Sequence, residues 1–166
     1  MTNRIFVISD THFCHAKVIE FEREHRPFET IEAHDEELVY RWNHTVKPKD
    51  TVWHLGDVVF GRSNIDILSR LNGVKKLVMG NHDTMRADEY LRYFNSVHAC
   101  VRKGGFLMSH VPIHPYQFYR FTGNIHGHMH SETLDDPRYE CVSVERTELA
   151  PILMDTAMHN VRRRIG

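Results

Sequence analysis

The sequence has few cysteines and no apolar run long enough to span a membrane. Its 166 residues include three cysteines, Cys14, Cys100 and Cys141, without the paired spacing of a disulfide framework or a zinc site. We therefore expect reduced thiols in a cytoplasmic protein. A spanning helix needs about 18 consecutive apolar residues, which the sequence does not offer. These absences exclude a small disulfide-stapled protein and argue against a membrane partner.

An excess of positive or of negative charge is also lacking. Lys and Arg number 21 and Asp and Glu number 22, which gives a formal net charge of -1. This balance provides no general attraction to nucleic acids or anionic membranes, so a nucleic-acid partner stays open but is not indicated. The first residues, Met1 to Arg4, lead directly into a predicted strand and not into a signal peptide. Repeats and Gly/Ser linkers are absent, and the length fits a single domain, residues 1–166.

Strands and helices alternate in the first half of the chain, whereas strands dominate the second half. The hydrophobic pattern predicts strands near residues 4–9, 51–55, 74–79, 97–101, 106–109, 124–126 and 139–144. It predicts helices near residues 17–24, 30–46, 64–71, 86–93 and 154–164, the second of them capped by Thr30. This order indicates an α/β protein in which two sheets share one core and helices lie outside.

Histidine is the residue type in excess, with 14 copies, and several follow apolar runs together with aspartate or asparagine. Five fragments of this kind stand where a predicted strand ends: Asp10-Thr11-His12, Gly56-Asp57, Gly80-Asn81-His82-Asp83, Ser109-His110 and Gly127-His128-Met129-His130. Open α/β sheets place their sites at the carboxyl ends of strands. In Asp-x-His and His-x-His, residues i and i+2 point to the same side, so both can reach one ion.

The fragments supply more donors than one metal ion uses. The candidate metal ligands are Asp10, His12, Asp57, Asn81, His110, His128 and His130. A tetrahedral zinc takes four ligands, so seven suit two ions that share a bridging carboxylate. Imidazole, carboxylate and carboxamide donors favour Mn, Fe, Zn, Co or Ni. Two such ions can activate a water and clamp the oxygens of a displacement at phosphorus. The glycines before three of the fragments permit close backbone approach to a crowded site.

In their order, the fragments resemble the signature of the calcineurin-like metallophosphoesterase superfamily. That signature consists of Asp-x-His, Gly-Asp, Gly-Asn-His-Asp/Glu, a single His and Gly-His-x-His, and all five pieces stand here between Asp10 and His130. The likeness is to a small prokaryotic or phage-type phosphoesterase. It implies a four-layer αββα sandwich, with two mixed β-sheets flanked by helices and a dinuclear site at the carboxyl-terminal edge of the strands.

The resemblance also implies a role for each donor. The first of two divalent ions, with Mn favoured, would be bound by Asp10, His12 and His130, the second by Asn81, His110 and His128, and Asp57 would bridge them. The remaining histidine of the third fragment, His82, would protonate the leaving oxygen as a general acid. Many members continue with Gly-Asp-x-x-Asp, whose second aspartate orients that histidine. Here the position is Phe60, so Asp83 or another group has to replace the missing partner.

Other residues have weaker claims on function. The stretch around Thr11 to His15 and the segment Arg26-Pro27-Phe28 resemble a small bacterial and phage-associated subgroup. That likeness makes His15 and Arg26 candidates to contact substrate phosphate, for which the forked donors of arginine are suited. The alternative for Arg26 is a surface residue that starts a turn. The two strand histidines, His54 and His126, fit packed positions better than ligand positions.

Two classes of function follow from these residues. The first is a metal-dependent phosphohydrolase that acts on a small phosphorylated substrate or nucleotide. A phosphodiesterase is favoured over a phosphomonoesterase, because the short chain leaves little room for a cap domain. The alternative is a non-catalytic metal-binding interaction module on the same fold. Retention of His82 and of all seven ligand positions favours the enzyme. A single structural metal is disfavoured because structural sites close with four ligands.

Overall fold

A computed structural model describes residues 3–166. Met1 and Thr2, which belong to the N-terminus predicted to lack a signal peptide, lie outside the described residues. The strands are β1 (Ile5–Ile8), β2 (Thr51–His54), β3 (Val74–Val78), β4 (Ser96–His98), β5 (Cys100–Lys103), β6 (Phe106–Ser109), β7 (Gly123–His126), β8 (Tyr139–Cys141) and β9 (Ile152–Leu153). The α-helices are α1 (Val18–Phe21), α2 (Ile31–Thr45), α3 (Ala87–Tyr90) and α4 (Met154–Ile165). Three 3₁₀ helices span Arg62–Arg70, Pro115–Tyr119 and Val144–Arg146.

The strands form two mixed sheets, as predicted. The first has the order β4-β3-β2-β1-β9 and the second the order β5-β6-β7-β8. Strands β1 to β4 pair in parallel, and β9 is antiparallel to β1. In the second sheet β6, β7 and β8 are parallel, and β5 is antiparallel to β6. The carboxyl ends of the parallel strands therefore lie along one edge of each sheet, where the predicted ligands follow them.

Alternate residues of β1 face two different cores. On one face, Phe6 and Ile8 pack in a cluster with Trp42 of α2. On the other face, Val7 packs in a cluster with Ile125 of β7 from the second sheet. This alternation follows from the two-residue period of a strand. The layers of the protein therefore follow in the order helices, first sheet, buried core between the sheets, and second sheet.

The helical cover of the second sheet is made by less regular elements. Phe118, in the 3₁₀ helix Pro115–Tyr119, lies with its ring centroid 5.0 Å from that of Tyr139 in β8. Helix α4 contacts strands of both sheets, namely β1, β7, β8 and β9. Its apolar stripe has the helical spacing i, i+3, i+4 and i+7 and joins the core between the sheets: Met154, Ala157, Met158 and Val161. The expected sandwich of two mixed sheets flanked by helices is confirmed.

Helix α2 begins and ends where the sequence indicates. Oγ1 of Thr30 accepts a hydrogen bond from the backbone N–H of Ala33 at 3.2 Å, which satisfies one of the free donors of the first turn. Near the other end of the helix, Nε1–H of Trp42 donates to the carbonyl oxygen of Asn72 at 2.9 Å. The hydrogen bond from Ala33 to Thr30 confirms the predicted cap.

Several predicted elements differ from the structure. The single strand expected over residues 97–101 is wrong, because β4 ends at His98 in the first sheet and β5 begins at Cys100 in the second. The helix expected over 64–71 is the 3₁₀ helix Arg62–Arg70, and those expected over 17–24 and 86–93 are reduced to the four residues of α1 and α3. The two-residue strand β9 was not predicted, since so short an edge strand leaves no periodic signal. Among residues 3–166, no helix is both long and apolar enough to cross a membrane.

We expect Phe106→Ala to destabilise the protein by about 3–5 kcal/mol, because the fully buried ring fills the core between the two sheets. Urea unfolding followed by circular dichroism measures the change in the free energy of unfolding. The matched control is Tyr40→Ala, which removes a 57% exposed ring from α2 and should cost no more than about 0.5 kcal/mol. Equal losses in both variants would contradict this assignment of the core.

Candidate metal centre

The predicted metal ligands follow the carboxyl ends of five strands, β1, β2 and β3 in the first sheet and β6 and β7 in the second. Contacts between the sheets bring these two edges together. The backbone N–H of Ser9 donates to the carbonyl oxygen of Val142 at 2.9 Å. The backbone N–H of His128 donates to Oδ2 of Asp10 at 2.9 Å. Ligands that are distant in the sequence therefore converge in space.

A first group of donors consists of Asp10, His12 and His130. One ligand atom from each residue lies within 4.8 Å of the others. Nε2 of His12 is 3.9 Å, and Nε2 of His130 is 4.0 Å, from Oδ1 of Asp10. Burial, with a smaller contribution from the charge of Arg26, lowers the pKa of His12 to about 2, so its imidazole is neutral and free to coordinate.

This first group fits a cation. Among residues 3–166, the buried Oδ1 of Asp10 and Nε2 of His12 have no hydrogen-bond partner. Burial raises the pKa of Asp10 despite the nearby His110 and His130. A buried polar atom without a partner is costly, and a metal ion between Oδ1 of Asp10 and Nε2 of His12 would compensate for both.

A second group consists of Asn81, His110 and His128. Oδ1 of Asn81 lies 2.8 Å from Nε2 of His110 and 2.9 Å from Nδ1 of His128. The other nitrogen of His110, Nδ1, lies 2.8 Å from the carbonyl oxygen of Leu55 and can donate only there. Its Nε2 then points to the oxygens of Asn81 and Asp57, at 2.8 and 3.3 Å, and a cation would stabilise this cluster of nitrogen and oxygen atoms.

Asp57 lies between the two groups. Its Oδ2 is 3.6 Å from Nε2 of His12 in the first group and 3.3 Å from Nε2 of His110 in the second. Burial alone would raise the pKa of Asp57, but hydrogen bonding and charge from His110 outweigh it and bring the pKa to about 2. The ionised carboxylate therefore has the position that a bridging ligand requires.

The backbone is strained at most of these positions. Five of the seven predicted ligands have positive φ angles, in the left-handed region: Asp10 (57°), His12 (47°), Asp57 (55°), His128 (70°) and His130 (49°). For residues other than glycine this region costs about 1–3 kcal/mol each and persists only where the surroundings enforce it. Such strain is typical of ligand clamps and active sites, which supports a functional role for this edge.

Two glycines make the close packing of the site possible. A Cβ atom at Gly80 would collide with Oδ1 of Asp57, and one at Gly127 would collide with Oγ of Ser9 and lie 2.5 Å from Oδ2 of Asp10. The expectation that these glycines permit close approach to the site is confirmed.

A carboxylate behind the first group was not predicted. Glu145 has a fully buried side chain, and its Oε1 lies 2.8 Å from Nδ1 of His130. This contact directs Nε2 of His130 towards Asp10, as carboxylates bonded to the other ring nitrogen do for metal-bound histidines. A signal was present in the sequence, because Glu145 follows the apolar run Cys141-Val142-Ser143-Val144 in the same way that the predicted ligands follow theirs.

The expectation that Arg26 contacts substrate is wrong, because its side chain is completely buried. Its Nε and Nη2 donate to Oε1 of Glu145 at 2.7 and 2.5 Å. The guanidinium also donates to the carbonyl oxygens of Asp10 at 2.6 Å and Thr11 at 3.1 Å. Arg26 therefore connects the strained loop after β1 with the carboxylate that holds His130.

The second predicted substrate contact, His15, lies in a cleft of about 720 Å³ beside the first group. Its ring is stacked on that of Phe60, with centroids 4.0 Å apart and an angle of 8° between the planes. His12, His82 and His130 line the same cleft. The position of His15 is thus compatible with substrate contact, which stays a prediction.

His82 lies beside the two groups and belongs to neither. It is exposed, and its ring centroid is 5.6 Å from that of His12 and 5.7 Å from that of Phe60. Its backbone N–H donates to Oδ1 of Asp57 at 2.8 Å, which fixes the residue at the edge of the centre.

Asp83 does not supply the missing partner for His82. Its carboxylate accepts hydrogen bonds from the backbone N–H groups of Asp57, Val58 and Gly80 at 2.8, 3.0 and 2.8 Å. These contacts hold the loops after β2 and β3 together. Asp83 therefore positions the backbone of Asp57 and not the ring of His82.

The strand histidines His54 and His126 occupy packed positions, as expected. Nε2 of His54 lies 3.0 Å from Oγ1 of Thr11, and burial lowers its pKa to about 3. Nδ1 of His126 lies 2.8 Å from the carbonyl oxygen of Gly127, and burial lowers its pKa to about 4. Both rings are therefore neutral, and these two nitrogens contact Thr11 and Gly127 and not a member of either donor group.

No family model matches the chain. The solved structure of the protein of unknown function AQ665 from Aquifex aeolicus is similar, with a TM-score of 0.76 and 27% identity, covering 95% of this chain and 99% of that one. The Gene 66 protein of Mycobacterium phage L5 is 35% identical over 88 residues, which are 50% of this chain and 41% of the phage protein.

A longer match extends over nearly the whole sequence. The uncharacterized protein MJ1445 of Methanocaldococcus jannaschii is 33% identical over 168 residues, covering 92% of this chain and 88% of that protein. An identity of this level over almost the full length of both chains indicates common descent and a common fold. The chain therefore belongs to the same protein family as MJ1445 of Methanocaldococcus jannaschii.

Proposed function

We propose that this protein is a dinuclear metal-dependent phosphoesterase of the calcineurin-like type. One observation carries the proposal: seven donors from five strand ends converge into two groups, with the carboxylate of Asp57 between them. The unpartnered buried atoms of Asp10 and His12 and the strained backbone at the ligands support it. The order of the sequence fragments supports the same chemistry.

The donor set suits two divalent transition-metal ions. Asp10, His12 and His130 would hold one ion, Asn81, His110 and His128 the other, and Asp57 both. Imidazole and oxygen donors without thiolate suit Mn, Fe, Zn, Co or Ni, of which we favour Mn. When bound, the ions would lower the pKa of a water and neutralise charge at phosphorus.

The remaining residues of the edge position the reacting groups. His82 is exposed beside the centre, and its backbone is fixed by Asp57, so its imidazole can donate a proton to the leaving oxygen of an ester. Glu145 sets which nitrogen of His130 faces the centre. Arg26 holds Glu145 and the backbone of Asp10 in one arrangement.

A phosphodiester is the favoured substrate. Asn81 and His82 are exposed, and a wide cleft opens beside the first donor group, so an ester with two organic arms can approach the centre. We further propose that the substrate is a small phosphorylated compound or nucleotide and that the protein acts in the cytoplasm. A non-catalytic metal-binding module is the alternative outcome of the tests below.

The function is tested by turnover of bis-p-nitrophenyl phosphate and 2′,3′-cyclic nucleotides with Mn²⁺, Ni²⁺ or Zn²⁺. We expect hydrolysis that disappears on chelation and returns with added metal. In Asp57→Asn, turnover should fall to background and metal content should fall, because the residue contacts both donor groups.

The matched control is Asp155→Asn, an exposed carboxylate of α4, which should retain turnover and metal content. Absence of metal-dependent turnover on every ester, in folded protein that binds metal, would leave the interaction module as the function.

His82→Ala should lower kcat by about 10²–10⁴-fold, the usual contribution of a general acid. Metal content, measured by elemental analysis, should stay at the wild-type value because the ring lies outside both donor groups. His159→Ala, at an exposed position of α4, is the control. A parallel loss of metal would show that His82 is a ligand and contradict the assigned role.

Glu145→Gln should weaken the binding of Mn²⁺ by about 10–100-fold, because the amide is a poorer partner for Nδ1 of His130 and leaves Arg26 without its counter-ion. Isothermal titration calorimetry measures the dissociation constant, and circular dichroism checks the fold. Glu148→Gln changes an exposed carboxylate three residues away and should bind as wild type does. Unchanged affinity in folded Glu145→Gln would refute the positioning role.

A further inference from the structure

The cleft beside the first donor group has an aromatic and apolar wall. Its volume of about 720 Å³ lies in the range of small-molecule sites. Three histidines form one side: His12 and His130, which belong to the first donor group, and His82 beside it. The apolar members of the lining are Cys14, Ala16, Val18, Phe21 and Phe60. A ligand whose phosphate lies at the centre would therefore place an organic arm against this wall.

A row of rings leads from the metal centre to Phe60. The centroids of His130 and His12 are 5.1 Å apart, with 30° between the planes. Those of His12 and His15 are 5.3 Å apart at 35°. The last pair, His15 and Phe60, is nearly parallel at 4.0 Å. In the last pair the two rings lie face to face, so His15 covers one face of Phe60, and a planar group of the ligand can pack against the part of Phe60 that stays exposed.

The backbone of Phe60 is held by hydrogen bonds, and its ring is stacked on His15 and still partly open. Its backbone N–H donates to the carbonyl oxygen of Phe13 at 2.8 Å, and its carbonyl oxygen accepts from Nδ2 of Asn64 at 2.8 Å. The residue is 38% exposed and lines the cleft. A fixed ring loses little conformational freedom when a ligand stacks on it, so it is suited to recognition.

A second aromatic ring stands at the rim. Helix α1 buries Val18 and Ile19, whereas Phe21 of the same helix is 72% exposed and lines the cleft. Single exposed apolar residues are common. Here two exposed phenylalanines, Phe21 and Phe60, share one cleft with the metal centre, and neither ring is needed to fill a core.

We propose that this cleft binds the organic arm of the substrate and selects a phosphoester whose arm carries a planar aromatic ring, either an aryl group or a nucleobase. This proposal rests on the proposed function, because the phosphate of the same ligand would face the donors and His82. The ring would pack against the exposed part of Phe60, beside His15.

The test is a pair of ligands that differ in the ring alone, titrated calorimetrically into the Mn²⁺-loaded protein. Phenylphosphonate should bind about 5–100-fold more tightly than methylphosphonate, as expected for one stacked ring. A second pair, thymidine 5′-monophosphate and ribose 5-phosphate, reports on a nucleobase arm. Preference in the first pair alone indicates an aryl ester, and preference in the second indicates a nucleotide.

Variants at position 60 separate stacking from simple apolar contact. Phe60→Leu keeps an apolar side chain but removes the ring face, so the ratio of the two dissociation constants should fall towards one. Phe60→Trp should restore it. Tyr40→Leu removes an exposed ring of α2 outside the cleft and should leave the ratio unchanged.

Equal binding of both members in both pairs, or an unchanged ratio in Phe60→Leu, would overturn the proposal. Binding is measured without turnover, so an inactive protein that prefers the ring contradicts the proposed enzyme and not the cleft. An active protein without ring preference contradicts the cleft alone.

Discussion

The two sheets are joined by backbone pairing directly at the candidate site. The N–H of Ser9 donates to the carbonyl oxygen of Val142, and the carbonyl oxygen of Ser9 accepts from the N–H of Val144, which makes a short parallel bridge between the ends of β1 and β8. Asp10 and Glu145 follow this junction on either side. The geometry of the centre depends on it, because the junction fixes the distance between donors that belong to different sheets.

Around this junction the fold maintains an arrangement that is unfavourable on its own. Among residues 3–166, buried atoms of Asp10 and His12 lack hydrogen-bond partners, and most of the predicted ligands adopt left-handed backbone angles. The buried ion pair of Arg26 and Glu145 stabilises this arrangement, because Glu145 binds His130 and Arg26 binds the carbonyl oxygen of Asp10. A buried ion pair contributes little net stability, but removal of one partner is strongly unfavourable. Its value here is to hold a centre that a cation would complete.

Much of the fold and of the site could be predicted because both leave local signals. Thr30 caps α2 through an interaction three residues away, and the apolar period of the strands is visible in any short window. Relations between distant segments leave no such signal. The chain passes from one sheet to the other at Ala99, between two stretches that read as a single strand. In the sequence Arg26 looks like a surface residue before a proline, yet its side chain is completely buried. This burial could not be predicted, because its partner Glu145 is 119 positions away in the chain.

The sequence by itself determined the residue types of the site, their order, and their positions after strands, because these follow from side-chain chemistry and from periodicities of a few residues. The resemblance of the fragments already implied how the donors divide into two groups around Asp57, and the tertiary structure brings these donors close together. Only the tertiary structure decided that Glu145 stands behind His130. The same holds for Phe60, whose place beside the centre arises from pairing with the loop after β1. These relations depend on how the two sheets meet, and distances between sheets are set by packing of the whole core.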